Sequence, residues 1–198
     1  MRAYVLSDAP IAAGSPGRPP AAEFDAAAAL AAWHLPVRAL PAHGVVLEAG
    51  EAGLAGALAL TAKIAGALAE TKDALVLFGA ALSDREAFLE QAADASPDDP
   101  PIFLWVAFEL RAHEDGTRSL LTHGARDVGA PMEVEIDRSR RDPEALLERA
   151  ADAVLVGLFA GAEVEDGGTI ELSEDAVRVR VQPSLRGDGS KAWRLRVP

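Results

Sequence analysis

Cysteine is absent from this chain, which excludes disulfides, thiolate nucleophiles and cysteine metal sites at once. Lysine is confined to Lys63, Lys72 and Lys191, and acidic residues outnumber basic ones by 31 to 19, leaving a formal net charge of −12. A field of that sign repels polyanions, so nucleic acid and anionic membrane surfaces are poor partners. Long apolar runs are missing too. The longest, Ala153 to Ala162, is half of the roughly 20 residues that cross a bilayer. The first residues pass from a strand-like run directly into Pro10, Pro16, Pro19 and Pro20, without the apolar segment of a signal peptide. A cytoplasmic location without membrane attachment is expected.

What is present is an ordinary globular balance, 49% hydrophobic and 25% charged over 198 residues, enough for one domain with its own core. Alanine is abundant and arginine supplies nearly all the positive charge, a bias of GC-rich bacterial coding. The chain reads as a single α+β domain over residues 1–198. Residues 1–40 form an N-terminal arm, with a strand-like Tyr4-Val5-Leu6, a Pro/Gly-rich loop and an alanine-rich helix from Glu23 to His34. Residues 41–95 read as a β-α-β-α unit. The strand Gly44–Glu48 precedes a helix with Leu54, Leu58, Thr61, Ile64 and Leu68 at three- and four-residue steps. A second strand, Ala74–Phe78, is followed after Gly79 by a helix capped at Ser83 or Asp84.

Ser96 to Pro101 breaks the pattern, and residues 102–198 form a β-rich half with one long helix. The run Ile102–Phe108 reads as a strand, and Asp115-Gly116 supplies a hairpin turn. Met132–Asp137 alternates apolar and acidic residues, which predicts a strand with one buried face and one solvated face carrying Glu133, Glu135 and Asp137. Asp142 caps and Pro143 opens a helix running to about Gly161. Val177, Val179 and Val181, then Trp193, Leu195 and Val197, alternate with arginines in a closing hairpin. The expected fold class is α+β: an antiparallel or mixed sheet with long helices packed on one side and a C-terminal β-hairpin. Its core is expected to include Leu54, Leu58, Ile64, Leu68, Val76, Phe103, Trp105, Val134, Ile136, Leu146 and Leu155.

Several short motifs occur in a characteristic order: Ala42-His43-Gly44-Val45-Val46, Leu104-Trp105-Val106, Leu121-Thr122-His123-Gly124, Gly129 with Glu133-Val134-Glu135-Ile136, and Asp166-Gly167-Gly168-Thr169-Ile170. From about residue 40 to the closing hairpin, the chain resembles the bacterial domain-of-unknown-function family four-two-six-one. The resemblance implies no particular activity. It departs from the family pattern at His123, Val128 and Glu171, where a tyrosine, an aromatic residue and a glycine would stand.

Candidate chemistry is sparse. His34, His43, His113 and His123 lack zinc-site spacing, so no metal is expected, and no motif calls for a cofactor. Asp166-Gly167-Gly168-Thr169 reads as a tight turn. His43, Thr122, His123, Glu133 and Glu135 could together supply an imidazole, a hydroxyl and a carboxylate. Arg178, Arg180, Arg194 and Arg196 fall on one face of the closing hairpin and require either the carboxylates of Glu133, Glu135 and Asp137 or an anionic ligand. Two functions are therefore carried forward. The first is a non-enzymatic protein-binding or accessory module, whose acidity suits a partner with a basic surface. The alternative is a small hydrolase-like enzyme using the His/Thr/Glu cluster.

Overall fold

The computed structural model describes residues 2–7, 43–50, 52–69, 71, 74–79, 81–160, 167–172 and 176–197. The Pro/Gly-rich loop, the alanine-rich helix with His34, and Asp166 lie outside them. Ten strands and four helices occur among the described residues, and the α+β class and closing hairpin expected from sequence are both present. The strands divide between two sheets. The first contains β1 (Arg2–Ser7), β2 (His43–Glu48), β3 (Ala74–Phe78) and β4 (Ala81–Asp84) in the order β2-β1-β3-β4, each neighbour antiparallel. The opening strand is therefore interior to a sheet and not part of a peripheral arm.

Helix α1 (Gly53–Leu68) connects β2 to β3 and packs on β1 and β2. Its buried face is Ala57, Leu60, Thr61, Ile64 and Leu68, whereas Leu54 and Leu58 are half-buried at its flank. Alanine at 57 leaves both neighbouring stripes apolar, so helical spacing alone does not choose between them. Tertiary contact chooses: Thr61 Oγ1 donates to the Ala57 carbonyl at 2.9 Å and accepts the Trp105 indole N–H at 2.8 Å.

Between Gly79 and the expected helix cap at Asp84 the chain forms a further strand, β4, because Gly79 at φ +56° turns it back so that Ala81 faces Phe78. Helix α2 (Arg85–Ala93) then starts, with the Asp84 carboxylate accepting the Ala87 N–H at 2.8 Å. The expected strand at Ile102 is instead a single helical turn, α3 (Ile102–Trp105). After Pro100-Pro101 this turn puts Ile102, Leu104 and Trp105 inside together, which no alternating strand could do, and leaves Phe103 44% exposed. Phe103 is thus a surface residue, not a core one.

The second sheet comprises β5 (Ala107–Ala112), β6 (Arg118–His123), β7 (Glu133–Ser139), β8 (Thr169–Glu171), β9 (Ala176–Pro183) and β10 (Lys191–Leu195). Its order is β5-β6-β7-β10-β9-β8, two antiparallel meanders joined where β7 and β10 run parallel. Gly116 at φ +78° closes the β5–β6 hairpin at the predicted turn. Gly167 at φ +83° begins the expected glycine turn, with Gly167 N–H donating to the Val179 carbonyl.

The crossover between the meanders runs through α4 (Pro143–Ala160), opened by Asp142, whose carboxylate accepts the Ala145 N–H at 2.9 Å. It covers one face of the sheet over β6, β7 and β8. Gly157 fits closely there, since an added Cβ would come within 3.1 Å of Trp193.

One hydrophobic core spans both sheets. Trp105, Phe78 and Ile64 belong to it with Val134, Ile136, Leu146 and Trp193, while Leu155 packs half-buried at its edge. Gly129, at φ +111°, joins the halves: a Cβ there would stand 3.3 Å from Gly53 Cα, at the start of α1.

Candidate functional site

The face of the six-stranded sheet opposite α4 carries the charges. Alternation puts Glu109 and Arg111 of β5, Ser119 and His123 of β6, Glu133, Glu135 and Asp137 of β7, Arg194 of β10 and Arg180 of β9 on that side. Two of the acids expected in solvent are buried, Glu133 at 8% exposure and Glu135 at 0%. The cause is the β9–β10 loop. Ser184 Oγ and the Leu185 N–H both donate to the Glu135 carboxylate, and Arg194 Nη2 reaches it at 3.0 Å while also donating to the Pro183 carbonyl. A buried carboxylate needs such a set of donors to offset its lost hydration.

Glu133 is held by a different set. Thr122 Oγ1 donates to it at 2.8 Å, and the Gly124 and Ala125 N–H groups donate at 3.0 and 3.2 Å, so it ties down the loop leaving β6. Arg186 spans these two centres, donating to the Thr122 carbonyl and standing 3.8 Å from the Glu133 carboxylate. Arg111 Nη1 donates to the Leu185 carbonyl and so fixes the same loop from β5.

His123 turns away from Thr122 and Glu133 toward Glu109, 2.8 Å from its carboxylate. Arg111 grips Glu109 through two nitrogens, at 2.7 and 3.2 Å. That hydrogen bond chiefly holds the Glu109 carboxyl below the ordinary glutamate value of 4.5, partial burial opposes it, and His123 adds to the lowering. Arg111 is raised in return. His113 is bonded to Ser119 at 2.8 Å beside the turn.

The five candidate residues therefore do not form one catalytic group. Thr122 is fully buried, with its hydroxyl engaged by Glu133 and by the Val134 N–H at 2.8 Å. His123 and Glu135 serve separate pairs, and His43 begins β2 in the other sheet, its side chain outside the described residues. Glu109, Arg111, Ser184 and Arg186 were not singled out by sequence. Glu109 and Arg111 carried a usable signal in their alternation on one strand, whereas Ser184 and Arg186 sit in a segment whose composition reads only as loop.

Concavity lies elsewhere. A cavity of about 420 Å³ opens between the end of α2, the segment entering α3, and α4. Ile102 and Ala151 are buried at its base, and Phe103 and Leu155 stand beside them. Asp94, Asp99, Glu148 and Asp152 line it, and among the described residues no basic one does. Phe103 packs against Phe108 in a tilted arrangement, with ring centroids 5.2 Å apart, and remains partly open to solvent.

Among the described residues no cluster of three or more histidine or acidic side chains is placed to hold a metal ion, and no helix is long and apolar enough to cross a membrane. No family model, no curated protein and no solved structure matches the chain.

Proposed function

We propose that this is a non-catalytic, cytoplasmic binding module whose cavity between α2, α3 and α4 receives a basic protein segment anchored by an apolar side chain. The observation that carries this reading is the pairing of an apolar base with a lining that, among the described residues, is charged in one sign: Ile102, Phe103 and Leu155 among Asp94, Asp99, Glu148 and Asp152. Cavities lined by apolar groups with a few charges at their margins are the usual form of a recognition site. Exposed phenylalanine in such a setting is unfavourable until covered, and an acidic lining selects a cationic partner while repelling acidic ones. The alternative, a hydrolase-like role for His43, Thr122, His123, Glu133 and Glu135, is the less favoured, since only Thr122 and Glu133 bond each other while His123 pairs with Glu109 and Glu135 with Ser184, Leu185 and Arg194. Membership of the bacterial family resembled in motif order belongs to the same proposal.

Fluorescence anisotropy with a labelled amphipathic peptide, leucine and tryptophan on one helical face and lysine on the other, tests it. A control peptide of equal charge, with serine for its apolar residues, isolates the contribution of simple attraction to an acidic protein. The first peptide is expected to bind and the second to bind much more weakly. Phe103→Ser, which leaves the net charge unchanged, should weaken binding by about 2 kcal/mol, or roughly thirtyfold, as expected of an aromatic anchor. Equal binding of both peptides, or no effect of Phe103→Ser, overturns the proposal. So does a concentration-dependent dimer abolished by Phe103→Ser, which would make a second copy of the chain the occupant.

A further inference from the structure

The closing hairpin carries a second surface of opposite sign. Arg180 of β9 lies directly opposite Arg194 of β10, and the Arg196 N–H donates to the Arg178 carbonyl at 3.4 Å, which sets Arg178 beside Arg196. The four therefore form a two-by-two array on the sheet face opposite α4. Cross-strand neighbours in such an array stand about 5 Å apart at Cβ, and successive same-face positions along a strand roughly 7 Å apart.

Among the described residues, only one of the four is neutralised by a carboxylate. Arg194 bonds Glu135 at 3.0 Å and stands 3.9 Å from Asp137. Arg178, Arg180 and Arg196 are exposed and make no ion pair among the described residues. Glu171, exposed two residues along β8 from the partner of Arg178, shares the face but forms no ion pair with them. Three adjacent cations without an ion pair among the described residues, in a chain of net charge −12, are a local reversal of sign.

We propose that Arg178, Arg180 and Arg196 bind a small multivalent phosphate anion. Guanidinium forks match phosphate oxygens in planar, paired hydrogen bonds, and three forks within a few ångströms suit an anion with several phosphoryl groups. Size follows from the remaining charge. Salt confines each charge to a range of about 8 Å, so a compact anion meets the array alone, whereas a long polyanion would extend over the surrounding acidic surface and be repelled. The face lies on the opposite side of the sheet from α4 and so operates independently of the cavity.

Isothermal titration of the full chain with sodium tripolyphosphate tests this, with inorganic phosphate and a hexaglutamate peptide as comparison ligands. Tripolyphosphate is expected to bind saturably, one per chain, and more tightly than phosphate. Combining Arg178→Ala, Arg180→Ala and Arg196→Ala should weaken it by at least about tenfold, the scale of lost charge-assisted hydrogen bonds. Combining Lys63→Ala, Arg126→Ala and Arg140→Ala changes the net charge equally at positions outside the closing hairpin and should leave affinity within roughly threefold, since none of them belongs to the array. Absence of saturable binding, or equal weakening in both variants, overturns the proposal. Tighter binding of hexaglutamate than of tripolyphosphate also overturns it and makes an acidic protein segment the ligand. All three array residues are exposed, and an unchanged melting temperature in the variant shows that any loss of binding is not loss of fold.

Discussion

The two halves of one sheet face treat charge in opposite ways. Across β5, β6 and β7, Glu109, Arg111, His123, Glu133 and Glu135 are paired or capped, and Ser184 to Arg186 fold over them. Across β9 and the end of β10, Arg178, Arg180 and Arg196 stay in solvent without a carboxylate partner among the described residues, and Arg194 at the boundary belongs to the first half by its bond to Glu135. The same alternating pattern thus produces a closed internal network in one place and an open cationic surface in the other. Charge used for architecture is paired or capped by named partners; charge left exposed and unmatched is available to a ligand.

Removing the centre of the closed half should have the largest effect. Glu135→Ala would leave Arg194 without its main counter-charge and strand the Ser184 and Leu185 donors, at a cost of about 3 to 5 kcal/mol in denaturant unfolding. A loss below about 1 kcal/mol would mean that the carboxylate does not hold the loop down. The open half should respond in the opposite direction. Arg180→Thr relieves a like-charge pair with Arg194 and is expected to stabilise the fold by about 0.2 to 1 kcal/mol. Destabilisation on that substitution would reveal a partner for Arg180 and erase the contrast between the halves.

The smallest effect concerns pH. Because the Glu109 carboxyl is held below 4.5 in the folded chain, its pairing stabilises the fold above that pH and is lost as the pH falls through its lower folded value. Glu109→Gln should therefore flatten the acid-side fall in stability and leave its slope near pH 7 unchanged. Both groups of the Glu109–Arg111 pair are more than a third exposed, so solvent screening keeps the change modest. An acid-side slope identical in both proteins would assign the fall to other carboxylates.

Local chemistry was legible wherever it acts within a few residues. The Asp84 and Asp142 caps, the Gly116 turn and the closing hairpin all lie where the sequence predicts them. The arginine face was legible in part, since alternation gave its composition and left both the acids of β7 and an anionic ligand as counter-charge, and among the described residues only Arg194 pairs with an acid. Phe103 and the buried stripe of α1 misled for the same reason as each other. Several apolar registers were available, and Trp105 packing against Thr61 and Phe78 selected among them.

The sequence by itself determined the types of the longer elements, cap positions and turn sites, because these depend on backbone sterics and on hydrogen bonds spanning three or four residues. Only the tertiary structure decided that β1 is interior, that two sheets share the strands, and that Glu135 is buried under residues some fifty positions later. A strand's alternation states which side chains share a face, but what covers that face is a matter of long-range closure, whose free energy is summed over the whole core and is not written in any one segment.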